Sequence, residues 1–300
     1  MLGIGLKVAS VTVMLLMSSL LKATENIPPG QLAFFRSVFA ILPIVLFLAY
    51  RRELVDGFKT RRPLAHVGRS LIGVGGMGCG FYALTKLPLP EAISINYTTP
   101  LLIVVFGALF LSEKVRLYRW SAVFAGLIGV SIIVWPRLTV FASGGMDETA
   151  LGAIVALAGC VFAASAMLTV RSLLQTERSA TIVLYFSIGC SLMALLTIPF
   201  GWVAPTPAQL AMLIGAGIAG GIGQILLTES FRHADVSLVA PFEYTSLIFS
   251  IIVGYVFFAD IPTVPTLVGG AILVGAGIFI ILRERQLGLE RRKQKEVATQ

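Results

Sequence analysis

The feature that most constrains this chain is a succession of apolar runs, each long enough to cross a bilayer, separated by short polar gaps. A helix needs about 20 mainly apolar residues to span roughly 30 Å of hydrocarbon. In lipid the backbone must satisfy its own polar groups, so such runs fold as helices. Residues 4–21, 64–84 and 267–282 are three of them. Charged residues make up only 13% of the chain, against about a quarter in soluble domains. The runs place ten spans, at residues 4–22, 30–49, 66–85, 91–111, 119–135, 150–170, 180–199, 208–228, 236–258 and 265–282. Several gaps carry helix-breaking residues: Pro28-Pro29-Gly30, Pro88 with Pro90, Pro205 with Pro207, and Pro262 with Pro265. The first run could pass for a signal sequence, but no small-residue cleavage site stands near Lys22, so it reads as a retained span.

Basic residues orient these spans. A net charge of +8 would suggest nucleic acid in a soluble protein, but here Lys and Arg fall in the gaps, without interleaved aromatics. The cytoplasmic surplus of Lys and Arg in membrane proteins accounts for it. With the N-terminus inside, 18 basic residues lie on interior segments, from Lys7 through Arg51, Arg52 and Lys114 to the C-terminal tail. Three, Lys22, Lys86 and Arg137, lie outside. One missing span would swap every later loop, so the bias supports ten crossings with both termini in the cytoplasm, in a bacterial inner membrane.

A shift of 147 residues aligns the chain with itself. Asn96-Tyr97-Thr98 falls on Glu243-Tyr244-Thr245, Ala92 on Val239, Glu113 on Asp260, Gly73 on Gly220 and Gly76 on Gly223. Each copy holds five spans, an odd number, so the copies must lie in opposite orientations. The expected fold is an all-α membrane protein of ten transmembrane helices in two inverted five-helix repeats. The first covers residues 1–136, the second 150–283, and a basic cytoplasmic tail covers 284–300. Inverted repeats typify secondary transporters, which hold substrate near the midplane at the repeat interface.

Ionisable side chains inside spans are the first candidates for a site, since each costs about 2.5–3.5 kcal/mol at a helix centre. Arg36 lies about two turns into the second span, Glu243 about two turns into the ninth, and Glu229 near the inner end of the eighth. Asn96 is the repeat-mate of Glu243. In the functional reading Arg36, Asn96 and Glu243 line a polar cavity and bind substrate, or a proton at Glu243. In the structural one Arg36 snorkels or pairs with Glu243. Tyr97 and Tyr244 would face each other across the cavity, able to stack on a planar ligand and to offer hydroxyls. Thr98 and Thr245 add hydroxyls, and Tyr82 maps onto Glu229. Arg69, at the start of the third span, reads as an interfacial anchor. Pro100, Pro199 and Pro241 interrupt or end spans.

Several chemistries find no support. Two GxGxxG matches, at residues 73–78 and 215–220, lie inside apolar helical runs rather than after a strand. Gly76 with Gly80 and Gly217 with Gly221 are close-packing pairs. Cys79, Cys160 and Cys190 are odd in number and lack metal-ligand spacing. No Walker motif, nucleophile–base pair or metal cluster stands out, so neither an enzyme nor an ATP-driven pump is expected, and no cofactor. His66 and His233, near interior loops, read as solvated or capping.

Ten spans in two halves, with Ala33-Phe34-Phe35-Arg36-Ser37 in the second span, Pro100 through Leu111-Ser112-Glu113 in the first copy and Ala240-Pro241-Phe242-Glu243-Tyr244-Thr245-Ser246 through Asp260 in the second, resemble the drug/metabolite transporter superfamily in its EamA-like branch. Members usually carry Glu at the end of both copies, where this chain has Asp260. The resemblance implies a transporter of a small metabolite, similar to bacterial riboflavin and S-adenosylmethionine carriers. Riboflavin uptake is the first specific expectation, and an S-adenosylmethionine or amino-acid transporter or exporter the alternative. A membrane scaffold without flux is the reading from another class. The expected partners are the small-molecule substrate and the bilayer, with no nucleic acid, and the carrier would be a monomer or homodimer.

Overall fold

The structure is a computed structural model that describes residues 2–110, 117–142, 148–173, 175–233 and 240–298. Every regular element among them is helical. The helices are α1 (Leu2–Ala23), α2 (Pro29–Tyr50), the single turn α3 (Leu54–Gly57), α4 (Pro63–Lys86), α5 (Leu89–Asn96), α6 (Thr98–Phe110), α7 (Leu117–Ala142), α8 (Glu148–Leu173), α9 (Ser179–Leu195), α10 (Pro207–His233), α11 (Thr245–Phe258) and α12 (Val264–Ala298). Proline opens α2, α4 and α10, where its missing N–H is no loss and its fixed φ suits the first turn. Past the end of α11, Ala259 adopts φ 53°, and the Asp260 N–H returns to the Gly254 carbonyl.

Among the described residues, seven helices, with α5 and α6 taken as one, are long and apolar enough to cross a membrane, and residues Ala180–Leu195 and Phe242–Phe258 form shorter apolar helices. The 24-residue α4 has the length of a span, but its glycines, His66 and Arg69 dilute its apolar character. Most of these elements follow the spans expected from the sequence within a few residues; α7 runs on to Ala142 and α12 to Ala298, well past their expected ends at 135 and 282, and two further departures are informative. The fourth span breaks at Tyr97, between α5 and α6. Pro100 explains this, because it withholds the N–H that the Asn96 carbonyl would accept and crowds that carbonyl. The ninth span enters through a 3₁₀ turn, Ala240–Tyr244, before α11 begins. Asn96-Tyr97-Thr98 and Glu243-Tyr244-Thr245 therefore both sit at breaks, each followed by a helix that starts on Thr. The segment expected as a tail is helical to Ala298. Glu113, Lys114, Arg116 and Val239 lie outside the described residues.

The two halves interleave. α1 lies against α10, α4 against α8, α7 against α12, α2 against α9 and α10, and α5 against α11. Each of these contacts joins an element of the first half to one of the second, while within the first half α2 also meets α4 and α6 meets α7. Small residues allow the closest approaches. A Cβ on Gly217 would stand 2.9 Å from the Phe35 carbonyl oxygen, and one on Gly129 2.8 Å from that of Gly269. Both GxGxxG stretches are helical, in α4 and α10, as expected of packing sequence. A large apolar core runs through the bundle, with Leu21, Leu32, Leu89, Ile95 and Leu273 almost wholly buried, and a smaller one joins Ala40, Ile44 and Leu48 of α2 to Leu184 of α9.

Candidate functional site

The charges inside the bundle find partners that the sequence did not indicate. Glu243, in the 3₁₀ turn before α11, bonds to Lys7 of α1. The Lys7 side chain is 4% exposed and that of Glu243 52%. At the other end of α1, Lys22 donates to the Leu87 carbonyl at 2.6 Å and lies 3.2 Å from Asp260. Asp260 also accepts the backbone N–H of Leu89 at 2.8 Å, satisfying an orphan donor at the start of α5. One helix of the first half is thus tied by ion pairs to both ends of the ninth-span segment of the second. Along α1 between the ties runs an open groove of about 570 Å³, lined by Leu15, Leu16, Leu20, Phe249, Val253 and Phe257 among others. It is apolar, and none of the sequence candidates lines it.

Tyr97 and Tyr244 meet each other directly. Their rings sit edge to face with centroids 5.1 Å apart, so no planar guest fits between them in this conformation. The Tyr97 hydroxyl bonds to Ser246 Oγ at 2.6 Å, and Ser246 donates to the Glu243 carbonyl at 2.7 Å. Gly277 of α12 has no side chain because the Tyr244 hydroxyl occupies the space where its Cβ would stand. Thr245 spends its hydroxyl locally, on the Phe242 carbonyl. Thr98 is buried and its Oγ1 has no partner. Asn96 is exposed, and its side-chain oxygen lies 3.8 Å from the Cys160 sulfur. Asn96, Tyr97, Thr98, Glu243, Tyr244 and Thr245 thus gather at the two breaks.

Three other candidates lie apart. Glu229 pairs with Arg51 at 3.2 Å, near the basic end of the bundle. Tyr82 sits half-buried one turn before Lys86, which pairs with Glu148 at 2.6 Å. Arg36 is buried among α2 and its neighbours, and it pairs neither with Glu243 nor with any other carboxylate among the described residues. Two charged residues escaped the sequence reading as site groups. Lys7 was counted with the interior loops, although it stands inside an apolar run. Arg69, expected as an interfacial anchor, is half-buried, and its guanidinium lies 4.0 Å over the Phe186 ring. The signal for Arg69 was Gly73, one turn further on, which leaves room for a long side chain folded along the helix. His66 is buried and stacked on Tyr185 at 4.7 Å rather than solvated, because α9 covers the first turns of α4.

The sequence model of the EamA-like transporter family matches residues 1–135 and 150–283. The chain belongs to the EamA-like transporter family. It is a membrane protein of a family of transporters, and its polar breaks are features of an EamA-like chain. Named relatives differ in cargo. The pseudopaline exporter CntI of Pseudomonas aeruginosa is 29% identical over 93% of this chain and 95% of its own. The S-adenosylmethionine uptake transporter of Rickettsia bellii is 28% identical over 85% of this chain and 84% of its own. The riboflavin transporter of Rhizobium johnstonii is 30% identical over 86% and 82%. A solved crystal structure shares this EamA-like fold at a TM-score of 0.66 and 21% identity, over 95% of this chain and 98% of that one.

Proposed function

We propose that the chain is a secondary transporter of the bacterial inner membrane that moves a small metabolite by alternating access. In this reading ten crossings form two inverted repeats, residues 1–136 and 150–283, followed by a basic segment at 284–300. Both termini are cytoplasmic, and the carrier acts as a monomer or homodimer without cofactor or nucleic acid. The helix contacts support the repeat. Exchanging α1 with α8, α2 with α9, α4 with α10, α5 and α6 with α11, and α7 with α12 turns the contact of α1 with α10 into that of α8 with α4. It turns α2 with α10 into α9 with α4, and α6 with α8 into α11 with α1. The observation that carries the mechanism is the pair of ties on α1. With the N-terminus inside, as this reading has it, the Lys7–Glu243 pair faces the cytoplasm and the Lys22–Asp260 pair the outside. Opening one tie while the other holds exposes the interior to one side at a time.

Two solutes are favoured by different observations. Riboflavin uptake is favoured by the Rhizobium relative and by the polar group at the breaks, where Asn96, Thr98 and the two tyrosines offer hydrogen bonds and ring faces once the edge-to-face pair opens. A zwitterion such as S-adenosylmethionine or an amino acid, imported or exported, is favoured by the buried cations and by the Rickettsia relatives. Uptake of labelled riboflavin by a riboflavin auxotroph, and of S-adenosylmethionine and amino acids by vesicles, tests both. Growth on limiting riboflavin supports the first. No growth and no flavin binding removes riboflavin, and vesicles that move none of these solutes replace the transporter by a membrane scaffold.

A further inference from the structure

The ion pairs described above leave two arginines uncompensated. Arg36 is 6% exposed, in the middle of an apolar helix. Its Nε has no hydrogen-bond partner, nor have Nε and Nη1 of Arg69. Among the described residues neither guanidinium meets a carboxylate. A lone cation inside a membrane protein is costly and is ordinarily relieved by snorkelling or pairing. Arg36 takes neither route, and Arg69, half-buried, meets no carboxylate among the described residues. A Cβ on Gly220 would stand 3.3 Å from Arg36 Nε and 2.9 Å from Met17 Sδ, so α1 and α10 enclose the Arg36 head. Arg69 reaches inward along α4, and a Cβ on Gly73 would stand 2.5 Å from its Nη1.

The two heads lie at a similar depth: Ser37, next to Arg36, meets Met77 of α4, one turn beyond the Gly73 that the Arg69 head covers, and Cys190 of α9 is an electrostatic neighbour of both. Neutral groups stand nearby: the Phe186 ring under Arg69, and the Ser37 and Met77 pair that joins α2 to α4 at 3.8 Å. Two like charges held together in an apolar interior repel, and the low dielectric magnifies the effect. Gly73 and Gly220, which make room for them, are the positions that the 147-residue shift superimposes. The site thus lies among α2, α4, α9 and α10, the helices that the half-exchange swaps in pairs. That is the repeat interface, where carriers of this architecture hold their cargo.

We propose that Arg36 and Arg69 together bind the acidic group, a carboxylate or a phosphate, of the solute that this transporter carries. The inference rests on the transporter reading and deepens it, favouring an acid-bearing solute over neutral riboflavin. Guanidinium forks match carboxylate and phosphate oxygens in bidentate fashion, and an anion between the two heads satisfies buried donors while cancelling their repulsion.

The test uses the purified full-length chain in detergent and two pairs of probes that differ only by the acid. S-adenosylmethionine is set against its decarboxylated analogue, and flavin mononucleotide against riboflavin. The acid-bearing member of one pair raises Tm, its acid-free partner does not, and the responding pair identifies carboxylate or phosphate. Arg36→Gln and Arg69→Gln each abolish the shift, and Arg36→Lys weakens the probe at least tenfold. Without probe, Arg36→Met melts higher than wild type, because a buried charge has gone; a purely structural Arg36 would make that variant melt lower. Equal shifts within both pairs, no shift with either acid-bearing probe, or a shift that survives both Gln variants overturns the proposal. If wild-type vesicles move no solute while the acid-dependent shift persists, the transporter reading fails and the anion site stands. If transport holds and both Gln variants carry the solute with wild-type KM, the anion site falls alone.

Discussion

Replacing Glu243 with glutamine leaves Lys7 without its carboxylate in a place where water hardly reaches. The Lys7 side chain is 4% exposed and that of Glu243 52%, so the two halves of the pair are not equivalent. Breaking a fully buried pair from one side costs about 3–5 kcal/mol, while an exposed pair contributes about 0–1 kcal/mol. With the cation buried and the carboxylate half in contact with solvent, Glu243→Gln should cost about 2–3 kcal/mol. Lys7→Met removes the group that needs compensation and leaves a carboxylate that solvent can reach, so it should cost less than about 1 kcal/mol. The double variant should recover about 1–2 kcal/mol relative to Glu243→Gln alone. Denaturant unfolding in micelles measures the cycle, and flux into proteoliposomes measures the consequence. If the pair closes the cytoplasmic side, losing about 2 kcal/mol moves the closed-to-open ratio roughly 30-fold, and transport falls strongly while expression is intact. Equal stability of the two single variants, or simple additivity in the double variant, would refute the assignment of the buried partner to Lys7.

Gly277→Ala places a methyl group in the space of the Tyr244 hydroxyl and should destabilise by about 1–3 kcal/mol; the loss should largely vanish in the Tyr244→Ala background, as melting curves would show. Asp260→Ala frees both Lys22 and the Leu89 N–H and should cost about 2–3 kcal/mol, whereas Asp260→Asn keeps the backbone bond and recovers part of that loss in the same assay. Asp56, on α3 outside the spans, has its carboxyl held below its ordinary value by the hydrogen bond from Lys59, then by the charges of Lys59 and Arg178. Because the folded value is the lower one, this contribution is present above the unfolded value and is lost as pH falls through the folded one. Hydrogen exchange over residues 54–60 should therefore stay flat near neutrality and quicken only in acid, and Asp56→Asn should remove the acid step.

Much of the scaffold was legible because its causes are local. Run length placed most of the helices within a few residues, since lipid admits little besides a helix of spanning length. Proline marked the openings of α2, α4 and α10 and the break before α6 through geometry that needs no tertiary context. The match of Asn96-Tyr97-Thr98 with Glu243-Tyr244-Thr245 marked two positions that both prove to interrupt helices. The candidate site was legible only as a set of residue types. Arg36 and Glu243 stood out as charges in apolar runs, but nothing along the chain says that Glu243 faces Lys7 or that Gly220 of α10 closes over Arg36. Lys7 and Arg69 were passed over because each stands near a span end, where an interfacial role is the ordinary one.

By itself the sequence determined which stretches become helices, where those helices begin and break, and which polar groups are carried into the apolar interior. Only the tertiary structure decided who meets whom: that Tyr97 touches Tyr244, that α1 is tied at both ends to the ninth-span segment, and that α1 and α10 enclose the head of Arg36. Helix formation and proline breaks depend on neighbours a few residues away, whereas the pairing of buried charges depends on how each helix is rotated about its axis. That rotation is set by the close approaches at Gly217 and Gly129, between segments far apart in the chain.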